Sequence, residues 1–160
     1  MRYVAHNYQN YAKDFILAHK VSALFLDCGL GKTITTLTAI NELMYDSFEI
    51  SKVLIIAPLR VAQSTWKEEI EKWDHLSLLR YSIAVGDEKE RLKALKQNSD
   101  IYIINRENVD WLVTKSGVDF NFDMLIIDEL SSFKSHTSKR FKSLLKIRPY
   151  FERVIGLTGT

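Results

Sequence analysis

Short, almost unbroken apolar runs alternate along this chain with longer stretches in which apolar residues recur every three or four positions. Ser22–Asp27 (SALFLD), Val53–Ala57 (VLIIA), Tyr81–Val85, Ile101–Ile104, Met124–Asp128 (MLIID) and Val154–Leu157 have the length and branched composition of strands. Asn7–His19 sets Tyr8, Tyr11, Phe15 and Ile16 at helical spacing, and Val61–Trp73 sets Trp66, Ile70 and Trp73 at i, i+4 and i+7. Lys32–Leu43, Glu88–Leu95, Glu107–Val113 and Ser138–Leu145 complete the predicted helices. Strands apolar on both faces need cover on both, and a helix between successive strands lets them run parallel. The pattern predicts an α/β fold, a three-layer α/β/α sandwich with a mainly parallel sheet, in one domain over residues 1–160. No internal repeat or Gly/Ser-rich linker interrupts it, and Pro58 and Pro149 are the only prolines. Ligands of such sheets gather at the carboxyl ends of strands. The loops after Asp27, Ala57, Asp128 and Leu157 are therefore where chemistry is expected.

The first of these loops reads Phe25-Leu26-Asp27-Cys28-Gly29-Leu30-Gly31-Lys32-Thr33, between a predicted strand and a predicted helix. Glycines let the backbone turn so that several N–H groups face one anion, and a helix N-terminus adds partial positive charge. Lys32 supplies a point charge for the β- and γ-phosphates of ATP, and the Thr33 hydroxyl is placed to ligate Mg2+. The strict phosphate-loop pattern wants a further glycine where Leu26 stands, so what remains is G-x-G-K-T in the right context. The bland alternative is a glycine helix cap followed by a solvated lysine.

A phosphate loop alone serves kinases, GTPases and motors. Leu125-Ile126-Ile127-Asp128-Glu129 ends a buried strand on two adjacent carboxylates. Asp128 can hold Mg2+ through water, and Glu129, pointing differently, can orient and deprotonate an attacking water. Transfer of phosphate to a small molecule must exclude water and needs no such second carboxylate, so the pair favours hydrolysis. Otherwise, Asp128 would cap the next turn beside an exposed glutamate.

Composition adds limits. The 46% hydrophobic and 26% charged content is ordinary for a globular protein, and the net charge of +2 does not announce a nucleic-acid binder. Basic residues concentrate late, at Lys134, Lys139, Arg140, Lys142, Lys146, Arg148 and Arg153, with little acid nearby. Such a run is either a phosphate-facing stripe or a solvated helix face. The single cysteine, Cys28, precludes an internal disulfide and suits a reducing compartment. No apolar run approaches the ~20 residues that span a bilayer, and Arg2 leads into a polar, aromatic stretch unlike a signal peptide. A cytoplasmic location without membrane contact is expected. His75 and His136 lack companions at metal spacing, so no structural metal is expected. Trp66, Trp73 and Trp111 could stack on bases, but two of them share a face with Ile70, which favours core packing.

Taken in order, Tyr8-Gln9, Asp27–Thr33, Leu54–Trp73, Asp128-Glu129 and Leu157-Thr158-Gly159-Thr160 resemble superfamily-two helicases and translocases. The likeness is to the Swi/Snf-type branch, particularly its compact phage and bacterial versions. LDCGLGKT resembles that branch's D-E-M-G-L-G-K-T, VLIIAPLRVAQSTWKEEIEKW its segment APxxVxxxWxxEIxKW, and LTGT its third motif. The resemblance covers essentially the whole chain. It implies a RecA-like P-loop NTPase lobe that binds ATP and Mg2+, acts on nucleic acid (DNA ahead of RNA) and works with a second RecA-like lobe.

Carried over residue by residue, the resemblance implies that Gln9 reads the adenine edge, with Tyr8 and His6 beside it. It assigns Gly29, Leu30, Gly31, Lys32 and Thr33 to the nucleotide and Thr33 and Asp128 to the metal. Lys32, Asp128 and Glu129 become the catalytic set. Pro58, Leu59 and Arg60 match a segment lying along the nucleic-acid backbone, Asn105-Arg106 match a further one weakly, and Thr158 and Thr160 resemble residues coupling ATP to the nucleic-acid track. Leu130 and Ser131 depart from the usual D-E-A-H or D-E-G-H, whereas Lys134 and Ser135 fit the Swi/Snf continuation. Relatives continue past L-T-G-T into a lobe carrying arginine fingers, so the chain reads as a first lobe that alone binds nucleotide weakly and hydrolyses it slowly or not at all. Two other classes stay open from the residues: a P-loop phosphotransferase, and a non-catalytic nucleotide-binding or interaction module.

Overall fold

The computed structural model describes residues 1–25, 31–130 and 139–159, with residues 139–141 described through their backbone alone. Six strands form one parallel sheet: β1 (Val21–Phe25), β2 (Val53–Ala57), β3 (Tyr81–Ala84), β4 (Ile101–Asn105), β5 (Met124–Asp128) and β6 (Arg153–Thr158). Their order across the sheet is β1-β6-β5-β2-β4-β3. The helices are α1 (Asn7–Ala18), α2 (Lys32–Asn41), α3 (Trp66–Lys72), α4 (Glu88–Leu95), α5 (Val109–Thr114) and α6 (Lys139–Ile147).

Alternation along the strands builds the layers. Val53, Ile55 and Ala57 of β2 join a core with Ile16 of α1, Leu37 of α2 and Trp66 and Ile70 of α3. Leu54 and Ile56, pointing the other way, join Leu95, Leu112, Leu144 and Ile147 of α4 to α6. Every residue of β2, β4 and β5 is buried, and each large aliphatic side chain so buried contributes roughly 1.5–3 kcal/mol. That gain is why these runs occupy the inner strands. Among the described residues no helix is long and apolar enough to cross a membrane.

The expected β2, β5 and α4 appear residue for residue, whereas the last two residues of the first expected strand, Leu26 and Asp27, lie outside the described residues. Two expected helices are composite. Val61–Trp73 is a π turn, Val61–Thr65, followed by α3, and Lys32–Leu43 is α2 followed by a π turn over Glu42–Asp46. Trp66 and Ile70 both follow the first of these turns, so the spacing between them cannot reveal the extra residue before them. Trp73 lies just past the end of α3 in extended backbone, packs against the core that holds Trp66 and Ile70, and meets the Tyr3 ring edge-on at 5.4 Å. Trp111, on α5, stacks under the Arg91 guanidinium at 4.3 Å.

The late basic run also needs correcting at one member. Arg153 is buried, not part of a solvated stripe. Its guanidinium donates to the carbonyls of Ile16 (3.2 Å) and Leu17 (3.4 Å) at the end of α1 and to Glu49 Oε1 (3.4 Å). A cation at a helix C-terminus satisfies carbonyls that have no partner within the helix.

Candidate nucleotide site

The chain enters the site from β1 and leaves the described residues at Leu26, so the readings placed on Cys28, Gly29 and Leu30 lie outside them, as do those on Ser131, Lys134 and Thr160. Gly31 reopens the path in the left-handed region, at φ 76°, and caps α2. A Cβ there would stand 2.4 Å from Gln9 Nε2 and 3.1 Å from Ile34 Cγ2, so both backbone angle and space call for glycine. Gln9 is itself buried on α1 rather than exposed on its surface. Its Oε1 accepts from the His6 N–H at 2.9 Å and from the Tyr3 hydroxyl at 3.3 Å. The segment preceding α1 thus sets the carboxamide against the glycine. Tyr8 lies half-exposed beside it, its ring stacked on His6 at 5.5 Å.

Lys32 and the buried Thr33 follow on the first turn of α2. The Lys32 ammonium donates to Glu129 Oε1 at 2.8 Å and lies 3.3 Å from Asp128 Oδ1. Burial pulls the lysine pKa down, but the hydrogen bond it donates to Glu129 and the Asp128 charge outweigh it, and the net shift is upward. The amine stays charged.

The strand order explains how residues 97 apart in sequence meet. β6 lies between β1 and β5, with Phe25 level with Thr158 and Asp128 level with Leu157. Thr158 therefore stands between the end of the loop strand and the carboxylates. Asp128 is 2% exposed, and its two oxygens differ. Oδ2 accepts from the Trp66 indole N–H at 3.0 Å. Oδ1 is buried without a hydrogen-bond partner among the described residues, its approach to Lys32 being an ion pair off hydrogen-bond geometry. The Oδ1 of Asp128 and the hydroxyl of Thr33 on the first turn of α2 are both oxygen donors, the type that suits magnesium.

Glu129 takes φ 59°, a backbone region that a side chain other than glycine rarely adopts. The reversal turns its carboxylate to Lys32 in place of continuing the strand. Leu130, the departure from the usual motif, packs on Gly156 of β6. Sequence reading missed that pairing, and it missed the Trp66–Asp128 bond. A glycine inside an apolar strand was the available signal for the first.

Arg60 is exposed just past the carboxyl end of β2. Asn105 ends the neighbouring strand, level with Ala57, but is buried, donating to Glu107 Oε1 at 3.0 Å and accepting from Asn108 at 2.8 Å. Arg106 pairs with Glu107 at 3.1 Å. Arg60 thus offers an exposed guanidinium on this rim, whereas Asn105 is engaged in its own turn.

The sequence model of the SNF2-related domain matches residues 2–160. The chain belongs to the SNF2-related domain family. As a Swi/Snf-type first lobe with a RecA-like fold, this SNF2-related domain is similar to protein p41 of Acyrthosiphon pisum secondary endosymbiont phage 1. The two are 37% identical over 159 residues, covering 96% of this chain and 35% of p41. It is also 28% identical over 153 residues to the chromatin remodeling factor mit1 of Schizosaccharomyces pombe, covering 89% of this chain and 10% of mit1. The Sulfolobus solfataricus SWI2/SNF2 ATPase core, solved in complex with dsDNA, superposes with a TM-score of 0.80 at 24% identity, over 99% of this chain and 32% of that one. The SNF2-related domain thus spans about a third or less of the length of these relatives.

Proposed function

We propose that this SNF2-related domain is the ATP-binding lobe of a DNA-dependent ATPase, binding Mg·ATP through Gly31, Lys32, Thr33 and Asp128. Joined to a second lobe, it hydrolyses ATP to drive movement on double-stranded DNA. The observation that carries the reading is the Lys32 ammonium held between Asp128 and Glu129 at the start of α2.

The arriving triphosphate competes with the carboxylates for that ammonium. Lys32 exchanges Glu129 for β- and γ-phosphate oxygens, and Glu129, released, takes a proton from the water whose oxygen bonds the γ-phosphorus as the bond to the β,γ-bridging oxygen breaks and ADP leaves. Thr33 and Asp128 would hold Mg2+, which when bound offsets the charge of the phosphates. Gln9, whose carboxamide lies against Gly31, orients the base at the edge of the loop. Thr158, between loop strand and carboxylates, couples their positions to the neighbouring lobe.

Support for DNA comes from Arg60 on the rim and from relatives: the Sulfolobus core was solved on dsDNA. The type ISP restriction-modification enzyme LlaGI, 18% identical with a TM-score of 0.64, was solved with a DNA substrate mimic. An arginine supplied from a second lobe is worth ~10³–10⁵ in rate in related chemistry, so hydrolysis by this lobe alone is slow. ATPase measured with and without duplex DNA, on the lobe alone and joined to a second lobe, tests the reading. Stimulation by DNA only in the joined form is expected. Absence of hydrolysis in both forms would leave a binding module.

A further inference from the structure

We infer that Trp66 is a positioning residue for the metal-binding carboxylate: its indole N–H fixes Asp128 so that Oδ1, and not Oδ2, is presented to magnesium. The inference rests on the nucleotide reading above and goes further by assigning a role outside the loop and the acidic pair. Trp66 is fully buried, Asp128 nearly so, and the bond between Nε1 and Oδ2 is 3.0 Å. A free carboxylate can rotate and present either oxygen. An indole has one donor and no acceptor, so it can hold one oxygen and cannot compete for a cation. The result is asymmetric, with Oδ2 hydrogen-bonded to the indole and Oδ1, without a hydrogen-bond partner among the described residues, facing the Lys32 ammonium at 3.3 Å. Partners of this type, one step removed from a metal, commonly set its affinity by 10–100-fold.

The helix leading to Trp66 supports the role. The π turn over Val61–Thr65 ends where Trp66 begins. Its extra residue advances everything after it by about 100° around the helix axis. A shift of that size decides which residue of the helix meets Asp128 at the end of β5. π turns inside helices concentrate at functional sites. This one lies between Arg60 on the rim and the tryptophan on the carboxylate, so both ends of one short segment face proposed functional positions.

The test compares ATP binding to the wild-type chain, Trp66→Phe and Trp111→Phe, with excess Mg2+ and with EDTA. The readout is the ratio of the two Kd values, which isolates the metal's share. Trp66→Phe is expected to lower that ratio roughly tenfold or more while leaving affinity in EDTA unchanged. Trp111→Phe, remote from the site, keeps the wild-type ratio. A wild-type ratio in folded Trp66→Phe overturns the inference and spares the nucleotide reading. A wild-type chain that binds no ATP overturns both. Should Trp66→Phe not fold, the wild-type indole N–H resonance decides. Movement of that signal when Mg2+ joins the ATP-bound chain supports the role, and constancy overturns it.

Discussion

Leu130 lies over Gly156 so closely that a Cβ on the glycine would stand 2.7 Å from Leu130 Cδ2. Leu130 follows the end of β5 and Gly156 lies inside the neighbouring β6, and each explains the other: a large side chain after the acidic pair is possible because β6 offers bare backbone there. Gly156→Val is expected to destabilise the chain by about 1–3 kcal/mol through overpacking. Leu130→Ala in the same chain should recover part of that loss, giving a non-additive cycle in urea unfolding. Strict additivity would mean that the two side chains do not compete for the space.

Gly31→Ala meets two separate obstacles, a left-handed backbone angle and the Gln9 carboxamide 2.4 Å away. The backbone term alone is roughly 1–2 kcal/mol. Thermal melts should show the loss, and pairing with Gln9→Ala should relieve the steric part only. Full recovery in the double variant would show that the angle exerts no strain.

The Arg153 contacts predict an asymmetry. Arg153→Met leaves the carbonyls at the end of α1 without their donor, a loss of about 1–3 kcal/mol. Glu49→Gln removes a half-exposed partner and should change stability by less than about 1 kcal/mol. Equal effects in denaturant titrations would assign the arginine's worth to the ion pair.

His75 predicts a pH dependence. Burial lowers its pKa from the ordinary 6.5, against a smaller upward pull from Asp74, while Nε2 meets the Thr38 hydroxyl at 2.9 Å. A histidine buried neutral takes up its proton more readily when unfolded, so stability falls as pH drops through about 6.5 and levels once the lowered folded value is passed. His75→Gln should flatten the difference between pH 7.5 and 5.5 in urea midpoints. An unchanged slope would point to carboxylates instead.

Much of this was legible along the chain, for identifiable reasons. Val53–Ala57 and Met124–Asp128 are short, branched and apolar at nearly every position, which suits a strand covered on both faces. Glu88–Leu95 begins after Asp87, whose carboxylate accepts from the Glu90 N–H at 2.8 Å, a local start signal. The π turns were not legible, because Trp66 and Ile70 keep helical spacing whether or not a residue is inserted before them. Spacing placed Trp66 in the core but could not say that its N–H meets a carboxylate 62 residues away. Gln9 became interpretable through family likeness alone, since one glutamine on a helix carries no pattern of its own.

Calorimetric titration of Mg·ATP into the wild-type chain and into Lys32→Ala tests the central claim most directly. With the ammonium passing from Glu129 to the triphosphate on binding, the variant should bind at least about tenfold more weakly, a difference near 1.4 kcal/mol. Equal affinity in the two proteins would contradict it.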